Sequence, residues 1–216
     1  MYLDKFKNQF NKSLENFNET QIKYFADNLS TYKNLQNNIF ITGIGKSKHF
    51  AKHMSDILKS LSYKCFFLDG IDSIHGDIGS IREKDILIVI SKSGNTNELR
   101  YPLEILKNKK IIIFGIFCNK NSILQSYCDN TIILPSINEM DPDFNMVPSN
   151  SIIIYHTFLS LLIRHIFDND KITLNDYSKN HPAGDIGKRA LTLVKHKTKT
   201  NILKININED IYINSN

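Results

Sequence analysis

The chain has 216 residues, 41% of them hydrophobic and 23% charged, with a formal net charge of +5. That is the balance of an ordinary globular protein, long enough for one α/β domain with a full core. Its basic residues are scattered, no aromatics interleave with the densest groups (Lys107–Lys110 and Lys195–Lys199), and this excludes a nucleic-acid surface.

Leu3, Phe6, Phe10, Leu14 and Phe17, then Ile22, Phe25, Leu29 and Tyr32, recur at helical spacing with a break near Asn18. Two N-terminal helices are predicted, packing on the domain or on another subunit. An apolar β-type run, Asn38–Thr42, precedes a helix predicted over Ser47–Leu61 with Phe50, Met54, Ile57, Leu58 and Leu61 on one face. Lys64–Leu68 reads as a short strand and Asp69–Ser80 as a loop rich in Gly and Asp. Strand Ile86–Ile90 leads to a helix over Thr96–Leu106. Lys110–Phe117 is a continuous apolar run, as expected of a strand covered on both faces. Ser122–Cys128 reads as a short helix, Thr131–Leu134 as the fifth strand and Ser136–Pro148 as an irregular loop. Ser149–Phe167 then forms a long buried helix with Ser149 as N-cap. Thr173–Lys179 is a brief helix, and the polar, Asn-rich tail 195–216 is expected to fray. Strands alternating with helices predict a doubly wound, five-stranded parallel sheet flanked by helices, with residues 1–194 as one domain. Its ligand is expected over the strand ends, at the switch point.

Two loops carry the functional signal: Gly43-Ile-Gly45-Lys46-Ser47 and Ser91-Lys-Ser93-Gly-Asn95-Thr96. Each joins a strand to a helix, where backbone N–H groups, hydroxyls and the helix dipole converge on an anion. The first is not a dinucleotide fingerprint, since Lys48 stands where the third glycine belongs, nor a Walker A loop, since Ile41 replaces its first glycine. Together they point to a phosphorylated small molecule. Cys65, Cys118 and Cys128 are far apart without metal-type spacing, which suits a reducing compartment. His49 and His53 stand at i, i+4 spacing but have no third ligand, so no metal is expected. The N-terminus has no apolar h-region. The longest apolar stretch, Ser151–Ile163, holds His156 and is too short for a bilayer, so the protein is expected in the cytoplasm and not on a membrane.

Gly43-Ile-Gly-Lys-Ser, His75-Gly-Asp, Ser91-x-Ser-Gly-x-Thr96 and His181-Pro-x-Gly-x-x-Gly187 occur in the order seen in sugar isomerase (SIS) domains. Over residues 38–192 the chain resembles the D-arabinose-5-phosphate isomerases of that family. The resemblance implies the flavodoxin-like SIS fold, a sugar-phosphate substrate, no cofactor and assembly into homotetramers or, failing that, dimers. Ser47, Ser91, Ser93 and Thr96 match phosphate-binding positions, with Gly45 and Asn95 in the same loops and His75 beside the sugar. Lys46, Glu98, Glu139 and His181 match the polar groups around the reacting carbons. Three departures stand out. The chain stops where the family's cystathionine-β-synthase modules begin, Asn95 replaces a common glutamate, and the loop Asn138–Pro148 is one residue longer.

Aldose–ketose isomerisation needs a base for a carbon-bound proton, acid/base help at the oxygens and a donor for the developing oxyanion. Glu98, in the first turn after the phosphate loop, fits the base, and Lys46 fits a carbonyl-polarising or phosphate-anchoring cation. His181, pinned in extended geometry by Pro182, fits ring opening and proton shuttling. Glu139 is placed by the resemblance. Other readings left open are an SIS isomerase for another sugar phosphate and a sugar-phosphate sensor without turnover.

Overall fold

The structure is a computed structural model describing residues 1–141 and 143–195; the expected frayed tail lies outside the described residues beyond Lys195. Five apolar runs form β1 (Ile39–Gly43), β2 (Cys65–Asp69), β3 (Ile86–Ser91), β4 (Ile112–Phe117) and β5 (Asn130–Ile133). All pair in parallel, in the order β2-β1-β3-β4-β5. The fold is the doubly wound five-stranded sheet. The helices, in chain order, are α1 (Tyr2–Leu14), α2 (Glu19–Asn34), α3 (Lys46–Ser60), α4 (Arg100–Asn108), α5 (Asn150–Asp170) and α6 (Leu174–Lys179).

Side-chain alternation sends successive residues of each strand to opposite faces. Every residue of β3 is buried, because helices cover both sides. On one face Phe25 of α2 packs its ring 5.2 Å from Phe114 of β4 and 6.1 Å from Phe158 of α5. Phe50 of α3 stacks on Tyr155 of α5 with ring centroids 4.9 Å apart. On the other face Phe40, Leu87, Val89, Ile113 and Phe117 meet Leu103 and Leu106 of α4. Asp85 fixes the opposite end of the sheet, accepting hydrogen bonds from Asn38 N at 3.0 Å and Arg82 N at 2.8 Å.

The break between the first two helices falls at Asn18, whose side chain caps α2 by accepting from Gln21 N at 3.1 Å. Phe6 and Phe10 stack on each other, centroids 5.7 Å apart, and both are half-buried, as is Phe17. Helix α4 starts at Arg100 instead of Thr96, behind a 3₁₀ turn over Asn97–Leu99. Pro102 is the reason: a helix running from Thr96 would press the proline ring on the Glu98 carbonyl, whereas in the first turn proline is tolerated. The loop after β2 folds into two short 3₁₀ turns, Asp72–His75 and Asp77–Ser80.

The chain divides into two compact units, one of Met1–Lys59 with Tyr63–Asp170, the other of Ser60–Ser62 with the chain from Lys171 onward. In the second unit Thr173 and Asp176 cap α6 reciprocally. Asn180 donates to Ser60 O at 3.0 Å and Ser62 Oγ at 2.6 Å. Residues 184–195 are helical.

Phe25 is fully buried at the meeting of α2, α5 and the sheet. Phe25→Ala is expected to lower unfolding free energy by about 3–5 kcal/mol in urea denaturation; a loss below about 1 kcal/mol would show that this face does not carry the fold.

Candidate functional site

The chain leaves β1 towards β2 and leaves β3 towards β4, so the carboxyl ends of these two neighbouring strands form the switch point of the sheet. After β1, Gly45 turns through φ +60°, a conformation glycine adopts freely, and delivers Lys46 and Ser47 as the first residues of α3. After β3, Ser91 Oγ accepts from Gly94 N at 3.0 Å and shares a hydrogen bond with Thr96 Oγ1 at 2.9 Å. Gly94 has φ +64°, and a Cβ there would stand 2.3 Å from the Ser122 Cβ. Neighbouring segments brace the loop from outside. Cys118 N donates to Lys92 O at 3.0 Å, Leu124 N to Gly94 O at 2.9 Å and Ile123 N to Asn95 Oδ1 at 2.8 Å. The loop is therefore built rigid without any ligand.

A cavity of about 290 Å³ opens between these loops and the start of α5. Lys46, Ser47, Ser91, Lys92, Ser93 and Thr96 line it on the loop side, with Ser151 and Tyr155 on the α5 side. Tyr155 is 1% exposed, and its hydroxyl lies against the Ser47 hydroxyl and the Cys118 thiol. Burial pushes its ionisation far above the usual tyrosine range, so it stays a neutral donor. A larger cleft of about 880 Å³ lies past β4 and β5, lined by side-chain amides including Asn16, Asn18, Gln21 and Asn119. Among the described residues, hydroxyls and two lysines converge on the smaller cavity, the donor set an anion would need.

Glu139 is 2% exposed, deep in the Ser136–Pro148 loop instead of out on it. Its Oε1 accepts from Lys92 Nζ at 2.5 Å. Its Oε2 accepts from Ser149 N at 2.8 Å, Ser149 Oγ at 3.2 Å and Ser151 N at 3.2 Å. Glu139 thus caps α5, the task the sequence assigned to Ser149, whose own hydroxyl is engaged with Glu139 and with Met140 N. Burial alone would raise the Glu139 pKa; the donors from Lys92, Ser151 and Ser149 outweigh it and hold it at about 2. Asp141 holds the rest of the loop, accepting backbone N–H groups from Phe144, Asn145, Met146 and Val147.

The cavity thus gathers Lys46, Ser47, Ser91, Ser93 and Thr96, with Gly45 setting the turn. It does not take in Asn95, whose carbonyl braces Ile123, or Glu98, which is exposed in the 3₁₀ turn. Nor does it take in His75, exposed in the turn after β2. His181 belongs to the second unit, where its ring lies 4.2 Å from that of Tyr177 and Nδ1 is 2.8 Å from Tyr177 O. Lys92 and Tyr155 were missed. The one is the variable position of Ser-x-Ser, and the other reads as a core aromatic; neither shows in sequence which way its polar end points. His53 and His156 have ring centroids 5.2 Å apart. Among the described residues no group of three or more His, Cys, Asp or Glu is placed to hold a metal. No helix among them is long and apolar enough to cross a membrane.

A family model of the SIS domain matches residues 34–164. An uncharacterized protein of Chlamydia muridarum is 38% identical over 155 residues, 72% of this chain and 47% of the relative. Arabinose 5-phosphate isomerase KpsF of Escherichia coli is 34% identical over 166 residues, 77% of this chain and 50% of the relative. The chain spans about half the length of the curated relatives it matches. A solved protein of E. coli CFT073 superposes with a TM-score of 0.71 at 25% identity, covering 83% of this chain and 95% of that one.

Because the folded state depresses the Glu139 pKa from 4.5 to about 2, the stability it contributes is complete above about pH 4.5 and is lost as pH falls towards 2. Glu139→Gln is therefore expected to lose less stability than the parent across that window, read by urea denaturation at a series of pH values. Parallel losses in both proteins would mean that Glu139 is not held ionised.

Proposed function

Since the chain belongs to the SIS-domain family, we propose that it is a sugar-phosphate isomerase, and that it interconverts D-arabinose 5-phosphate and D-ribulose 5-phosphate. The observation that carries this reading is the donor-lined cavity at the β1/β3 switch point, where hydroxyls, two ammonium groups and a buried tyrosine hydroxyl face one volume with no carboxylate among the described residues lining it. An anion of phosphate size supplies the acceptors such a site lacks. The choice of pentose phosphate is supported by the likeness to a protein named arabinose 5-phosphate isomerase.

In this reaction a proton leaves C2 of the aldose and is delivered to C1 through an enediol(ate), while a second proton moves between the two oxygens; no cofactor is consumed. With phosphate held by Ser47 at the start of α3 and by Ser93 and Thr96 on the loop tied together by Ser91, the reacting carbons extend out of the cavity. Lys46, at its rim, polarises the carbonyl oxygen. Glu98, exposed one turn beyond the loop, takes the carbon-bound proton. His181 supplies acid/base help at the oxygens and at ring opening, from its own chain or from a neighbouring copy in a homotetramer or dimer.

Purified protein incubated with a panel of pentose and hexose phosphates is expected to convert the arabinose and ribulose pair. Binding without conversion of any sugar would identify a sensor. Glu98→Ala and His181→Ala are each expected to cut the rate by about 10²–10⁴-fold. Mixing the two inactive variants under verified subunit exchange restores activity if His181 serves a neighbouring site, and restores none if it acts within its own chain.

A further inference from the structure

The sequence offers Glu139 as a polar group near the reacting carbons and gives Lys92 no role, and the way the pair is built limits what each partner does. Both oxygens of Glu139 are occupied, Oε1 by the Lys92 ammonium and Oε2 by three donors at the start of α5. A carboxylate so saturated has no oxygen turned to an incoming carbon-bound proton, and a weak base is a poor proton acceptor. Glu139 also does not line the cavity, whereas Lys92 does. A free lysine on a flexible loop would spread its ammonium over many rotamers. Here the ion pair, with its carboxylate fully buried, fixes that ammonium against the cavity wall. One of its three N–H donors goes to Glu139, which leaves two for a guest.

We propose that Lys92, fixed in place by Glu139, donates a charge-assisted hydrogen bond to the phosphate of the bound sugar. Glu139 is then a positioning residue that acts through Lys92 and is not the isomerisation base. This rests on the sugar-phosphate reading of the same cavity, but its test does not depend on turnover. The ammonium is preorganised at no cost at the moment of binding, because the carboxylate that holds it is itself anchored by the cap of α5.

Binding of inorganic phosphate to the full chain, followed by calorimetry, tests the assignment. Lys92→Met is expected to weaken it about 10- to 100-fold, the effect of losing a charge-assisted hydrogen bond, and Lys92→Arg to recover part of the loss. Glu139→Gln is expected to weaken binding about 3- to 10-fold, loss of position outweighing relief of the negative charge. In the double variant Glu139→Gln should add nothing to Lys92→Met. With whichever sugar phosphate is converted, the acid limb of the kcat/KM profile should be the same in Glu139→Gln as in the parent. Unchanged phosphate affinity in a folded Lys92→Met protein would overturn the proposal, and so would additive losses in the double variant. An acid limb abolished by Glu139→Gln would overturn it too, by making Glu139 the proton-transfer group. If Glu139→Gln does not fold, the Lys92 series decides alone. Phosphate binding through Lys92 in a protein that converts no sugar would refute the isomerase reading and uphold this one.

Discussion

A parallel sheet buried on both faces leaves chemistry only one place to go. Side chains of β1, β3 and β4 are committed to the two packed faces, so polar groups that must meet water and substrate are pushed to the strand ends. In the order β2-β1-β3-β4-β5 the chain departs in opposite directions from β1 and β3, and the gap between their following loops is the one crevice the topology makes unavoidable. The cavity lined by Lys46, Ser47, Lys92, Ser93 and Thr96 occupies that crevice. Function in this chain is therefore attached to a consequence of packing.

What makes the crevice specific is the set of hydrogen bonds that holds its walls. Ser91 and Thr96 hold the loop from within, and Asn95 and Gly94 hold it to the segment at Ile123 and Leu124. Glu139 ties the same loop, through Lys92, to the first turn of α5. The hydroxyls and the Lys92 ammonium that line the cavity are thereby held by the chain itself. A site prepared in this way binds an anion without first reorganising.

Much of this was legible in the chain. The strands announced themselves as apolar runs, and the two loops as Gly- and Ser-rich turns between strand and helix, because backbone conformation demands those residues. The apolar periodicity runs back to Thr96, but Pro102 conflicts with a helical Glu98 carbonyl, so α4 starts at Arg100 and Glu98 stands in an exposed 3₁₀ turn. Ser149 looked like the cap of α5 because serine commonly is one, yet a buried carboxylate ten residues earlier is the stronger acceptor and took the position. Lys92 was illegible for a related reason: its partner is 47 residues away, and nothing local to Ser-x-Ser says whether the middle side chain turns to solvent or to the cavity. Tyr155 was hidden by its own ring, which packs on Phe50 as a core residue while its hydroxyl meets Ser47.

The central claim is that the phosphate of a sugar phosphate sits at the β1/β3 switch point on donors already in place. A crystal structure of the protein soaked with D-arabinose 5-phosphate tests it directly. The expected result is a phosphate within hydrogen-bond distance of Ser93, Thr96 and the Lys92 ammonium, with the loop from Ser91 to Thr96 unmoved. A phosphate bound instead in the amide-lined cleft of Asn16, Asn18 and Asn119, leaving the cavity between the two loops empty, would contradict it.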